Sequence, residues 1–285
     1  MTDSVSVIIP TLNEPQLQVC LASLVPQLLS EDEIIVVGQF DFKIKKQFPM
    51  IIFLDTQFPV NAATARNIGI RKATKDIFLF VDSDCIPSEK WIERHRELQR
   101  KGIAVVGGGV AIHHPNFWTL ADNLSMFHDF TSTQKKGKKA LLPSCNLSVH
   151  RSVWLQVGDM DETLPRGEDS DWTLRMRRHR FSLNFFPHIE VRHSPSRNSW
   201  ASVYDHWFQS GIHNIKVRRK YREEFRTPKW VNYPIYLKVC SPLIAFWASA
   251  KIFSQMRYWQ YGFLFPIVYL TKIVYCWGAA TKNSN

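Results

Sequence analysis

The sequence predicts an α/β fold with a mostly parallel central sheet. Three observations carry this: short β-branched runs, helical periodicities between them, and 285 residues, enough to bury a full core. Residues 5–10 (VSVIIP) form the first such run and stop at a proline. Leu17, Leu21, Leu24 and Leu28 then recur at i, i+4, i+7 and i+11, one apolar face of a helix. Residues 34–38, 51–55, 77–82 and 103–107 are four more buried-type strands, and the alanine-rich stretch 61–73 suits a helix. Apolar runs without alternation belong to strands covered on both faces. In such sheets ligands bind beyond the carboxyl ends of the strands, which directs the search for chemistry.

After the fifth strand the rhythm breaks. Residues 131–139 (TSTQKKGKK) read as a mobile basic loop. A helix over 168–179 places Asp171 and Arg175 for an i,i+4 pair. A strand-like run at 183–193 and a helix opened by Ser199 follow. The end of the chain differs in kind: 216–229 carries seven basic residues, and two aromatic-rich apolar stretches follow at 233–250 and 258–280. The expected organisation is therefore a catalytic domain over 1–215 and a helical tail over 216–285. Each apolar stretch approaches bilayer length, but Lys238 and Lys272 interrupt them, so helices lying among lipid headgroups compete with true spans. Interleaved Trp, Tyr and basic residues favour membrane contact over two helices packed on the catalytic domain.

The net charge of +11 favours anionic partners. The basic residues cluster beside the tail instead of alternating with exposed aromatics on a sheet, which points to a membrane and away from nucleic acid. Five cysteines (20, 85, 145, 240, 276) are scattered, with no C-x-x-C pair. That argues against a disulfide framework and a zinc site and fits a reducing compartment. The amino end has no basic-then-apolar secretory pattern, so the expectation is a cytoplasmic protein on the inner face of the cell membrane.

The strongest chemical signal is FLFVDSDC at 78–85, where an apolar strand ends in Asp82 and Asp84. Two carboxylates there suit a hard divalent cation shared with phosphate oxygens, although Asp-Ser-Asp also makes an ordinary solvated turn. Arg66, in ATARNIGI, offers a planar fork to phosphates or bases, or is a surface helix arginine. Glu168 and Asp169, at a helix start where negative charge is favourable, have no evident partner. Either can deprotonate an acceptor hydroxyl, and N-capping is the alternative. His193 can complete a metal site or serve a structural role, and His188, His113 and His114 are weaker candidates.

The ordered set SVIIPTLNE, EIIVV, ATARNIGI, FLFVDSDCIP, DMDETLPRGEDSDWTLR and VRH, over about residues 4–195, resembles family 2 glycosyltransferases. The resemblance implies a GT-A fold and an inverting transfer from a nucleotide-diphosphate sugar with Mn²⁺ or Mg²⁺. It further implies that Asp82 contacts the ribose, Asp84 the metal, Arg66 the base, and that Thr11 and Glu14 line the nucleoside pocket. Asp169 takes the role of general base, with Glu168 beside it, and His193 reaches the metal or diphosphate. Two departures matter. Gln39 stands where the family usually has an acid that pairs with uracil, so UDP is the foremost carrier and not a fixed one. No Q-x-x-R-W follows His193, which implies transfer of one sugar to a glycan or lipid-linked glycan instead of processive synthesis. The basic loop at 135–139 is expected to close over the donor. Two rivals are a sugar-1-phosphate nucleotidyltransferase, for which the loop after strand one lacks glycine and basic residues, and a degenerate module that binds without transfer.

Overall fold

The computed structural model describes residues 4–112 and 116–281, which divide into two compact units. The first comprises Met1–Ala111 and Asp129–Pro195, the second Ile112–His128 and Ser196–Asn285.

In chain order, the first unit opens with β1 (Val5–Leu12), α1 (Leu17–Leu24), β2 (Glu33–Gln39), α2 (Phe42–Gln47) and β3 (Ile52–Asp55). Then come α3 (Ala62–Lys72), β4 (Ile77–Val81), β5 (Cys85–Pro87), α4 (Trp91–Arg100) and β6 (Val105–Val110). Helix α5 (Phe117–Phe127) belongs to the second unit, after which β7 (Gly137–Lys138), β8 (Asn146–His150), α6 (Arg151–Val157), α7 (Glu168–Arg178) and β9 (Asn184–His193) complete the first.

The strands form one sheet in the order β3-β2-β1-β4-β8-β6-β9-β5, with β7 pairing on β9. Strands β1 to β4, β6 and β9 run one way; β5, β7 and β8 run against them. The mostly parallel sheet expected from the sequence is therefore present, with β8 reversed between β4 and β6. Strand β4 is wholly buried and β1 nearly so, as strands covered on both faces should be. Helix α3 lies tight on β1, because a Cβ at Gly69 would come within 2.5 Å of the Ile8 side chain. Phe80 and Trp172 meet edge to face in the core between β4 and α7.

Two expectations for this unit are corrected. Strand β6 extends to Val110 because Gly107–Gly109 admit close neighbours; a Cβ at Gly108 would meet both Asn146 Nδ2 and Ile189 O at 2.3 Å. The segment 131–139 is tied down where a mobile loop was expected. Gly137 and Lys138 pair with Phe185 and Asn184, Thr131 bridges Val110, and Lys139 donates its amide to Leu183 O at 3.0 Å.

The second unit adds α8 (Trp200–Lys220), α9 (Pro234–Val239), α10 (Ser241–Phe253) and α11 (Phe265–Ala279). Ser199 caps α8 through a reciprocal capping box with Ser202. Because α8 is continuous, the boundary expected at 215/216 falls inside a helix, and 112–128 groups with the tail. The apolar stretch 233–250 is split at Cys240, with Pro242 in the first turn of α10. The stretch 258–280 begins as a 3₁₀ turn over Met256–Leu264 and becomes α-helical at Phe265.

Candidate active site

Three parallel strands deliver the predicted residues to one edge. β1 ends at Thr11 and Leu12, β2 at Gly38 and Gln39, and the two ends are in register, Thr11 beside Gly38. Gly38 has φ +131°, and a Cβ there would collide with Thr11 O, so only glycine lets the strands end side by side. Thr11 is 8% exposed and its hydroxyl has no protein partner. Gln39 donates Nε2 to Gln57 O at 3.4 Å, and its carbonyl accepts from the Asn13 amide at 2.7 Å. Glu14 accepts from the Gln16 amide at 3.2 Å, at the entry to α1.

β4 stops at Val81, and the next residue, Asp82, meets Arg66 of α3: Nη2 to Oδ1 is 2.6 Å. The other terminal nitrogen of Arg66 donates to Glu168 Oε1 at 2.7 Å. Arg66 is therefore a link between two carboxylates from opposite ends of the motif set. Burial opposes its charge, but Asp82 and Glu168 more than reverse this, so the guanidinium stays protonated. Burial pushes the Glu168 carboxyl up to about 7, with Asp169 acting in the same direction and Arg66 against it. Asn67, next to Arg66, exchanges two hydrogen bonds with the Met160 backbone and a third with Glu162, which pins the approach to α7.

Asp169 is more open to solvent than Glu168. Its carboxylate accepts from the Ser144 amide at 3.3 Å and the Ser170 amide at 2.6 Å. Burial raises its pKa, and that makes it a stronger base than a surface aspartate. Asp171 is fully buried and bonded to Arg175 at 2.8 Å, the i,i+4 pair expected.

Beyond Asp82 the chain turns through Ser83, and β5 pairs antiparallel with β9 so that Cys85 faces His193. His193 Nε2 comes 3.3 Å from Asp84 Oδ2, and the Ser194 amide donates to Asp84 O at 2.8 Å. Ligand atoms of Asp84, Cys85 and His193 lie within 4.8 Å of one another, the grouping of metal-capable side chains among the described residues. The Asp84 carboxylate suits a hard cation such as Mn²⁺ or Mg²⁺, and the His193 imidazole beside it favours the softer Mn²⁺. Burial holds the Cys85 thiol well above its usual range. His188 is not in this group, and His113 and His114 lie outside the described residues.

The structure thus brings together Arg66, Asp82, Glu168 and Asp169, sets Asp84 against His193, and places Thr11 beside Gln39's strand. Glu168 has no evident partner in the sequence, and nothing there points to the Ser144 amide. A backbone amide has no sequence signal. Cys85 had only its adjacency to Asp84.

The pattern of the family Glycosyl transferase family 2 matches residues 6–157. Glycosyltransferase AglE of Haloferax volcanii is 31% identical over 245 residues, covering 80% of this chain and 79% of its own. The chain belongs to glycosyltransferase family 2. Its fold is similar to mannosyltransferase PcManGT of Pyrobaculum calidifontis, solved with GDP-Man and Mn²⁺: TM-score 0.59, 15% identity, 95% of this chain and 86% of that one. It is also similar to GalNAc-T7, solved with UDP, GalNAc and Mn²⁺: TM-score 0.53, 14% identity, 79% of this chain. This glycosyltransferase spans about half (51%) of the GalNAc-T7 chain. The GT-A fold expected from the motifs is the fold observed.

Proposed function

We propose that this glycosyltransferase moves a single sugar from a nucleotide-diphosphate sugar to a hydroxyl of a glycan or lipid-linked glycan, with inversion. The observation that carries the reading is the placement of Asp84 and His193 beside a carboxylate cluster that leaves Asp169 accessible. Asp84 and His193 would hold the divalent cation, which supplies positive charge to the departing diphosphate. Asp82, fixed by Arg66, presents its free oxygen to the ribose. Asp169 takes the proton of the acceptor hydroxyl as that oxygen attacks the anomeric carbon from the face opposite the diphosphate. One displacement inverts the configuration. Glu168, held by Arg66, keeps the guanidinium and hence Asp82 in place.

The unpartnered Thr11 hydroxyl supports a nucleoside pocket at the β1 end, with Glu14 at its rim. Gln39 commits its Nε2 to Gln57, which leaves Oε1 to accept a ring N–H. Uracil and guanine offer one; adenine and cytosine do not. UDP is the foremost carrier, and the Gln39 amide also suits GDP. We further read the basic, aromatic second unit as a contact with the inner face of the cell membrane, in keeping with a lipid-linked acceptor and no nucleic-acid partner.

The test is a donor screen with the full chain, with and without Mn²⁺ or Mg²⁺, scoring nucleoside diphosphate release. Metal-stimulated release from a UDP- or GDP-sugar is expected. No release with any donor, with or without lipid-linked acceptors, refutes transfer and points to a binding module.

A further inference from the structure

The second unit buries Trp207, Tyr258, Leu264 and Val268 in its interior, but its helix α10 turns small residues inward and large apolar residues outward. On α10 the buried positions are Ser241, Ala245, Ser249 and Ile252, spaced four, four and three residues apart. The opposite face carries Leu243, Phe246 and Trp247, between 51% and 68% exposed. Helix α9 continues the exposed stripe with Tyr236 and Val239, and the 3₁₀ stretch adds Trp259. Inside, Ser125 bonds Thr271 at 2.8 Å, Asp122 takes Arg197 and Trp207, and Lys272 donates to Ser125 O at 2.9 Å. Close helix approach is secured by glycine: a Cβ at Gly211 would be 2.1 Å from Tyr275 O, and one at Gly278 2.1 Å from Phe208 O. Small residues and interhelical hydrogen bonds inside, with bulk outside, are how helices associate in lipid, where burying apolar area against a neighbour gains nothing. In water, an apolar face of this extent marks an interaction site.

We propose that the α9–α10 stripe and the 3₁₀ stretch form a docking surface that lies in the plane of an anionic lipid leaflet without crossing it. This deepens the membrane reading above. The charge pattern identifies the partner: from Lys229 to Thr281 the chain has Lys229, Lys238, Lys251, Arg257 and Lys272 and no acidic residue. Basic side chains among exposed aromatics suit phosphate-bearing headgroups above an acyl layer. Length argues against a span. The 13 residues of α10 reach about 20 Å at 1.5 Å each, short of a ~30 Å hydrocarbon core, and the chain breaks at Cys240. Met256–Ala279 is long enough, at 24 residues and mean hydropathy 1.4. Its α11 part, however, turns Val268, Thr271 and Gly278 into the unit, and Lys272 sits 4.3 Å from the Trp207 ring, so this helix is a packing element.

The test is flotation of the full chain with vesicles of phosphatidylcholine alone or with 30% phosphatidylglycerol. We expect flotation with the anionic vesicles, at least tenfold weaker partition with the neutral ones, and release by high salt. Trp247→Ser/Trp259→Ser should weaken partition at least tenfold while leaving nucleoside diphosphate release in detergent-free solution unchanged. Depth is read from fluorophores at Leu243→Cys and Phe263→Cys quenched by spin-labelled lipids. Shallow labels should quench and bilayer-centre labels should not. Strong quenching from the bilayer centre overturns the in-plane geometry and keeps membrane association. No flotation with either vesicle overturns both, as does a lipid-independent dimer that shields the same positions. A failed donor screen alongside normal flotation would touch only the transfer reading.

Discussion

Arg66 and Glu168 meet at 2.7 Å with both side chains at or below 10% exposure, while the same guanidinium grips Asp82 at 2.6 Å. Helix α3, the end of β4 and the start of α7 are thereby joined through one cation. Removing that cation leaves buried carboxylate charge without compensation, which costs about 3–5 kcal/mol. Arg66→Ala should lose stability on that scale in urea titration, and Arg66→Lys, which restores charge but not the fork, should recover part of it. Equal stability of Arg66→Ala and wild type would show that the link carries no weight.

Asp169→Asn keeps the shape of the side chain and removes its ability to take a proton. Transfer should slow by about 10²–10⁴-fold, the usual worth of a positioned base. Mn²⁺ binding and the unfolding midpoint should stay near wild type, and full activity would remove Asp169 from the base role.

Asp84→Ala and His193→Ala address the cation directly. Both should weaken Mn²⁺ binding measured by the electron paramagnetic resonance signal of the free ion, Asp84→Ala more strongly because it removes a charge. The readout needs no turnover. Unaltered binding in both variants would place the cation elsewhere.

The Glu168 carboxyl titrates at about 7 in the folded protein, against 4.5 for an ordinary glutamate. Its proton is held more tightly by the folded than the unfolded chain, so its stabilisation is complete below pH 4.5 and lost as pH rises through about 7. Glu168→Gln should flatten this component of the unfolding midpoint between those limits. An identical slope in the variant would assign the effect to another group.

What the sequence disclosed and withheld follows from range of interaction. Residues 5–10 and 78–85 announce themselves locally, since a strand buried on both faces has no polar alternation to blur it. Asp82 and Asp84 stand out because acids at the end of an apolar run are unusual, and Asp169 because it stands in a cluster of acids at a helix start. The Gly107–Gly109 run hides the far half of β6, because its justification is the close approach of Asn146 and Ile189 O from distant parts of the chain. Arg66 looked like a ligand contact; its two carboxylate partners become visible only when α7 packs near α3. The break at Cys240 had a local cause in Pro242, yet apolar composition alone suggested one long helix.

The pairing of β5 with β9 has a consequence for biosynthesis. Asp84 leaves the ribosome early, whereas His193 belongs to β9, the last strand in the chain, which pairs with both β6 and β5 and sets His193 opposite Cys85. A nascent chain that has emitted only the Asp-Ser-Asp turn has no imidazole to set beside it. Closing so long a loop is among the slower steps available to a chain of this topology. At the proposed cation site, full binding would wait until the sheet is finished, and truncation anywhere before residue 193 should weaken Mn²⁺ binding at least as much as His193→Ala however well the first four strands assemble.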